Sequence, residues 1–240
     1  MRLMGDSERP EVTILVPALN EEATIREVVE RLLALPVTKQ VIVINDGSTD
    51  RTAEVLKEFA GQISVITNKE RGGKGRAIRT GLAYATGHVI VIQDADLEYA
   101  PEEIPKLIEP ITKGLYGVVF GTRFAHGLIK GMALPNKLVN LMLRWTVLIL
   151  FGRKLTDEAT CYKAVRRDIM KDMDLQCERF EFCPEVTAKA IRMGEHIHEV
   201  PVSYVPRGMD AGKKIRWTDA PEAFWTLIKY RFARMPKRHD

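Results

Sequence analysis

The chain is poor in cysteine: three in 240 residues (Cys161, Cys177 and Cys183), with no C-x-x-C pair. That shortage excludes a disulfide framework and a zinc ribbon, and it leaves free thiols as the expected state. An apolar leader is lacking too. Residues 1–11 read MRLMGDSERPE, whose polarity gives the expectation of a chain that is not secreted. Long apolar runs are also missing. The longest, LVNLMLRWTVLILF from Leu138 to Phe151, is broken by Asn140 and Arg144 and falls short of the roughly 20 residues that cross a bilayer, so no transmembrane helix is expected. There is no internal repeat, low-complexity tract or linker, which favours one compact unit.

What is present suits a globular protein with a proper core, at 45% hydrophobic and 28% charged residues. The net charge of +4 is unevenly placed. From Val205 to Asp240 there are nine Lys/Arg against four Asp/Glu, a local +5 that leaves the remainder near −1. Such a basic end suits anionic lipid, substrate phosphate or nucleic acid. Nucleic acid is the least favoured of the three, because the charge concentrates near loops that the motifs below mark as substrate loops.

The first half alternates Val/Ile-rich runs with amphipathic stretches: VTILVP, then Glu21 to Leu35; VIVIND, then Asp50 to Phe59; ISVIT, then Lys74 to Ala85; HVIVIQD, then Pro101 to Ile111; and VVFGT. This alternation predicts an α/β fold with a parallel, doubly wound sheet. Asn20 and Asp50 are N-cap residue types, and Pro101 suits a first helical turn. The second half predicts helices over Leu134 to Phe151, Phe182 to Met193 and Ala220 to Phe232, with strands over Thr160 to Val165 and Ile197 to Val205.

In open α/β sheets ligands bind beyond the carboxyl ends of the strands. The strand ends here carry PALNEE, NDGSTD, NKERGGKG, QDADLE and GTRF, so the acids, glycines and cations of this half share one sheet edge. In HVIVIQDADLE, Asp94, Asp96 and Glu98 alternate with other residues, and on an extended strand they would project to one side. Like charges so placed repel unless water, a raised pKa or a cation relieves them. Mg²⁺ or Mn²⁺, which bind one or two carboxylates together with substrate phosphate, are the natural cations. RGGKGRA, Arg71 to Ala77, sets three glycines and several cations before a helix, where backbone N–H groups favour phosphate. Its spacing matches neither the Walker nor the Rossmann pattern.

Taken in order and spacing, PALNEE, VIVINDGSTDRT, GGKGRAIRTG, VIVIQDADLE and VVFGTR resemble the family-2 glycosyltransferases of the GT-A fold. DEATCYKAVRR, RFEFCPEVTAKAIRMG, IHEVPVSYVPR and the following GKKI are similar to the dolichyl- or polyprenyl-phosphate mannosyltransferase group within that family. The resemblance implies a GT-A type, Rossmann-like, mostly parallel sheet flanked by helices. It also implies one unit over residues 10–240, with 10–125 facing the nucleotide-sugar and 126–240 facing acceptor and membrane.

For the donor it implies that Pro17, Asn20 and Glu21 line the nucleotide pocket, that Asp46 reads the base, and that Lys74 meets the phosphates. Asp94 and Asp96 would be the metal-diphosphate acids, with Asp96 central to catalysis. Glu98 stands where relatives often have a Gln metal ligand. Arg207 and Lys214 match a basic loop that closes over the donor phosphates. Arg123 and Lys137 sit where relatives place cations for an acceptor phosphate.

The implied activity is metal-dependent, inverting transfer of a hexose, mannose or glucose, from a nucleotide-diphosphate sugar to a polyprenyl phosphate. A phosphate acceptor, with a second pKa near ~6, is already anionic and needs positioning more than a base. The apolar stretch to Phe151 and the basic aromatic segment PEAFWTLIKYRFARMPKR would lie on the cytoplasmic face of a membrane as peripheral contacts. Three other readings compete. A hydroxyl acceptor would need a carboxylate base, with Asp157, Glu158 or Glu185 as candidates. A nucleotide-binding protein without turnover would keep the fold alone. A sugar nucleotidyltransferase would want a Gly- and Arg-containing loop after the first strand, which PALNEE is not.

Overall fold

The structure is a computed structural model and describes residues 10–125, 134–207 and 217–235. Its centre is a seven-stranded sheet ordered β3-β2-β1-β4-β6-β5-β7, built from β1 (Val12–Ala18), β2 (Lys39–Asn45), β3 (Ser64–Thr67), β4 (Val89–Ile92), β5 (Val118–Thr122), β6 (Lys163–Arg166) and β7 (Ile197–Pro201). All pairings are parallel except those of β6, which runs antiparallel to both β4 and β5. The α/β GT-A-type plan expected from the motifs is the one observed.

The central strands are apolar throughout because helices cover both faces: every residue of β4 and β5 is buried, whereas edge strand β3 is largely exposed. Helix α1 (Ile25–Leu33) buries Ile25, Val28, Val29 and Leu32, one face of a 3.6-residue period. Helix α2 (Thr52–Lys57) packs against α1, and α3 (Lys74–Leu82) lies on β1 and β2. Its approach is close enough that a Cβ at Gly81 would stand 2.7 Å from Ile44 and 3.0 Å from Leu15. Helix α4 (Ile104–Thr112) follows a short 3₁₀ turn at Pro101–Glu103 and buries Ile104, Leu107, Ile108 and Ile111.

Several boundaries differ from expectation. The first helix starts at Ile25 instead of Glu21, because Asn20 adopts a left-handed backbone (φ 51°) and its Oδ1 accepts the Thr49 N–H at 2.8 Å. Asn20 thus ties the PALNEE loop to the NDGSTD loop and does not cap α1. Asp50 does serve α2, accepting the Thr52 N–H at 3.0 Å. The strand expected from Thr160 starts only at Lys163, since Thr160 to Tyr162 form a tight turn in which Thr160 Oγ1 accepts the Tyr162 N–H. The strand expected to reach Val205 ends at Pro201. Six-residue α6 (Arg167–Asp172) was too short for a periodic signal.

Helices α5 (Leu134–Phe151), α7 (Phe182–Arg192) and α8 (Ala220–Phe232) pack together beside the sheet. Only Leu143 and Val147 of α5 are buried. Leu134, Leu138, Leu141, Met142, Trp145, Leu148 and Ile149 are exposed at helical spacing, with Ile149 at 77%. Trp225, Ile228 and Phe232 of α8 extend the apolar surface. Among the described residues α5 is the one helix long and apolar enough to cross a membrane by length and composition, with mean hydropathy 1.2 over 18 residues. The expectation of no transmembrane helix counted Leu138 to Phe151; the observed helix begins four residues earlier, at Leu134, and so reaches 18 residues.

Candidate functional site

Strand order reverses between β1 and β4, which opens a crevice at their carboxyl ends. A cavity of about 500 Å³ lies there, lined among others by Pro17, Glu21, Asp46, Lys74, Asp94, Asp96, Glu98, Arg123 and Arg207. Residues scattered over 190 positions of sequence are therefore gathered at one place.

Lys74, the first residue of α3, forms an ion pair with Asp94, and its Nζ also lies 3.0 Å from Cys161 Sγ. Burial alone would lower the Lys74 pKa, but Asp94 outweighs it and holds the ammonium well above the usual lysine range. Burial, then repulsion from Asp94 and Glu98, pushes the Asp96 carboxyl up to about 7. Arg207 relieves part of that strain: its guanidinium reaches Asp96 Oδ2 at 3.0 Å and both Glu21 oxygens at 3.2 and 3.3 Å.

The three acids do not form the one-sided row expected of a strand. β4 ends at Ile92, and the chain turns through Asp94 to Glu98 with Leu97 left-handed (φ 60°). Asp96 Oδ1 accepts the Glu98 N–H at 3.0 Å, while the Glu98 carboxylate accepts from Tyr204 Oη and from the Arg207 N–H, both at 2.8 Å. Glu98 thus anchors the segment that carries Arg207. Among the described residues no trio of His, Cys, Asp or Glu is gathered closely enough to hold a metal; Asp94 and Asp96 both border the cavity, Asp94 paired with Lys74 and Asp96 with Arg207.

The glycine-rich loop also differs from a phosphate cradle. The Asp46 carboxylate accepts the Gly72 and Gly73 N–H groups and the Asn68 amide, at 2.7–3.1 Å. The Gly75 and Arg76 N–H groups donate to the carbonyls of Arg179 and Glu178. The Gly72, Gly73, Gly75 and Arg76 N–H groups around the start of α3 are therefore taken by the protein itself. Gly73 is needed for this crossing: it sits at φ 92°, ψ 164°, and a Cβ there would stand 2.5 Å from the Glu178 carbonyl oxygen.

At the far end of the cavity Arg123 follows β5. Asp157 accepts its backbone N–H at 3.0 Å, Nε at 2.7 Å and Nη2 at 2.8 Å. The guanidinium lies 5.0 Å from the centroid of the Tyr204 ring. Burial would lower its pKa, yet Asp157 keeps it charged. Glu199 of β7, which sequence reasoning missed, accepts the Thr156 and Asp157 N–H groups and so fixes the loop that holds Asp157. Its only sequence signal was an acid inside an alternating strand.

Asn136, Val139, Asn140 and Leu143 of α5 line this end, following the i, i+3, i+4, i+7 rule. Lys137 falls off that helical face and is not in the cavity wall. Lys214 lies outside the described residues. Of the alternative bases, Glu185 is buried away from the cavity on Lys189 at 2.5 Å. Asp157 is committed to Arg123. Glu158 borders the cavity with both carboxylate oxygens buried, and burial raises its pKa against the opposing pull of Lys163 and Thr187.

A mixed, mostly parallel sheet with this topology and an acid-lined crevice at its switch point defines a GT-A-type fold. Residues 13–174 match the family profile "Glycosyl transferase family 2", and the chain belongs to that family. It is 35% identical over 183 residues, 72% of this chain, to the undecaprenyl-phosphate 4-deoxy-4-formamido-L-arabinose transferase of Pectobacterium atrosepticum. It is 31% identical over 211 residues, 84% of this chain, to the enzyme of that name from Pseudomonas aeruginosa. The matched parts are 54% and 60% of those proteins, so the chain spans little more than half the length of these curated relatives. In fold it matches glucosyl-3-phosphoglycerate synthase of Mycobacterium tuberculosis, solved with UDP, with a TM-score of 0.73 at 22% identity over 96% of this chain and 82% of that one. That synthase has been solved with Mn²⁺ and with Mg²⁺. The names of these two relatives carry a polyprenyl phosphate, as the later motifs led one to expect, with a formamido-arabinose in place of mannose and no dolichol.

Proposed function

We propose that the protein transfers a sugar from a nucleotide-diphosphate donor to a polyprenyl phosphate, undecaprenyl phosphate being the acceptor named for its relatives. The observation that carries this reading is the joining, in one cavity, of the Asp94/Asp96 acids at one end with a buried, orientation-locked Arg123 at the other. Glu21, Asp46 and Pro17 border the donor end. Lys74 and Arg207, now on Asp94, Asp96 and Glu21, are the cations that turn to the diphosphate as the donor enters. Arg123 holds the acceptor phosphate in line with the anomeric carbon, giving inversion. A phosphate monoester is ionised at neutral pH and needs no general base, which agrees with Glu185 and Asp157 being engaged elsewhere and Glu158 being held toward its neutral form.

The donor set fits Mn²⁺ or Mg²⁺: hard oxygens from Asp94 and Asp96, with Asp96 driven to about 7 by burial and then by repulsion from Asp94 and Glu98 that a cation would relieve. Bound there, such an ion would neutralise charge on the leaving diphosphate. The sugar in the relatives is a formamido-arabinose, a pentose, where mannose or glucose was expected. A pentose of that type is therefore our first choice.

We assign the chain to the cytoplasmic face of a membrane as a peripheral protein. The support is the exposed apolar stripe of α5 and α8, bordered by exposed Lys229, Arg231 and Arg234. The test is transfer from radiolabelled pentose and hexose nucleotide donors, with Mn²⁺ or Mg²⁺, to a short polyprenyl phosphate. Label should enter the organic phase and be lost in Asp96→Asn with the fold intact. Label appearing only on hydroxyl acceptors would replace this reading with the saccharide one.

A further inference from the structure

Two of the three cysteines stand apart from the third. Cys161, just before β6, and Cys183, in the first turn of α7, have their sulfurs 3.9 Å apart, and both border the cavity. Cys177 is buried against Gly75 of α3 and does not border it. Cys161 Sγ is also 3.0 Å from Lys74 Nζ, the cation paired with Asp94.

We propose that Cys161 and Cys183 are a reversible thiol-modification site, closing to a disulfide on reaction with a hydroperoxide that enters through the cavity. A disulfide needs its sulfurs about 2.05 Å apart. The pair must therefore approach by side-chain rotation, and that draws Cys161 Sγ away from Lys74.

The chemistry balances. One thiolate attacks a peroxide oxygen, the O–O bond breaks, and a sulfenic acid forms with release of hydroxide or alkoxide. The second thiol attacks that sulfur and expels water. Overall two thiols lose two protons and two electrons, and the hydroperoxide is reduced to water and an alcohol, or to two waters when it is hydrogen peroxide. Closure shifts a partner of the Lys74–Asp94 pair, so the oxidised chain should transfer sugar more slowly. That consequence rests on the function proposed above; bond formation does not.

The test treats the whole native protein with hydrogen peroxide, removes the peroxide, unfolds the protein in the presence of an alkylating agent, counts the alkylated thiols and maps peptides by mass. The count should fall from three to one, with Cys161 joined to Cys183, Cys177 alkylated, and dithiothreitol restoring all three. Cys161→Ser and Cys183→Ser should each prevent the internal bond. A count that stays at three, a bond that includes Cys177, or a bond that forms only in denaturant would overturn the proposal, whatever the transfer assay shows. A disulfide that forms while transfer stays unchanged would overturn the link to Lys74.

Discussion

Asp157→Ala should be among the most damaging single substitutions in this protein, although no substrate is needed to see its effect. The Asp157 side chain is fully buried and that of Arg123 is 8% exposed. Removing the carboxylate strips three hydrogen bonds from Arg123 at once. A guanidinium does not deprotonate to escape. An uncompensated charge is left in the cavity wall, which costs about 3–5 kcal/mol. For a chain of this size, where each kcal/mol moves Tm by roughly 2 °C, the melting point should fall by about 6–10 °C.

Urea and thermal unfolding of Asp157→Leu, Arg123→Met and the paired Arg123→Met/Asp157→Leu variant give the double-mutant cycle, with Asp157→Ala measured beside it. The paired variant should recover most of the loss, because replacing both members of a buried pair with apolar groups is often close to neutral. The coupling should exceed ~1 kcal/mol. If Asp157→Ala costs less than ~1 kcal/mol, or the two single effects simply add, then Arg123 is not held as described and the acceptor-phosphate role loses its structural basis.

Three other outcomes are expected. In EDTA, stability relative to Asp96→Asn should be greatest below the unfolded carboxylate range near pH ~4 and should decline as pH rises through about 7, because the native Asp96 pKa is raised; urea melts from acid to neutral pH that run parallel for the two proteins would contradict this. Gly73→Ala should cost about 1–3 kcal/mol, since its backbone conformation is essentially reserved for glycine and the new Cβ meets a carbonyl; an unchanged urea midpoint would show that the loop adjusts freely. Ile149→Lys and Trp225→Glu, at exposed positions 77% and 64% accessible, should abolish sedimentation with anionic vesicles while leaving Tm unchanged; retained sedimentation would place the contact elsewhere.

The donor half was legible because it rests on local signals. Continuous Val/Ile runs, turn residues and amphipathic spacing gave β1 to β5 and the helices between them, and the switch-point rule put Asp46, Lys74, Asp94 and Asp96 on one edge. What the sequence could not give was partner choice across distance. Glu98 holds Tyr204 and the Arg207 backbone, more than 100 positions away, and Glu199 fixes the Asp157 loop. Neither follows from spacing. The row of acids failed as a strand because β4 ends at Ile92, before the first of them, and the chain then turns with Leu97 left-handed; no residue type there announced it. Lys137 was misplaced by one helical position, which is enough to rotate a side chain by about 100° off the cavity.

The reversed strand β6 has a bearing on how such an enzyme can change. Because it alone among the described strands runs backwards, the segment before it, Asp157 to Cys161, arrives at the edge where the other strands finish. On the function proposed above, the wall that meets the donor comes mostly from residues before 100 and the wall that meets the acceptor mostly from residues between Arg123 and Ala223, all of which line the one cavity. The two walls are thus largely separate stretches of sequence, with Arg207 the late residue that crosses to the acids Asp96 and Glu21. Lys74 touching Cys161 is a seam between them. A laboratory library meant to alter the acceptor can vary α5 and the loop before β6 while leaving the donor loops alone, provided the position of Cys161 is kept fixed.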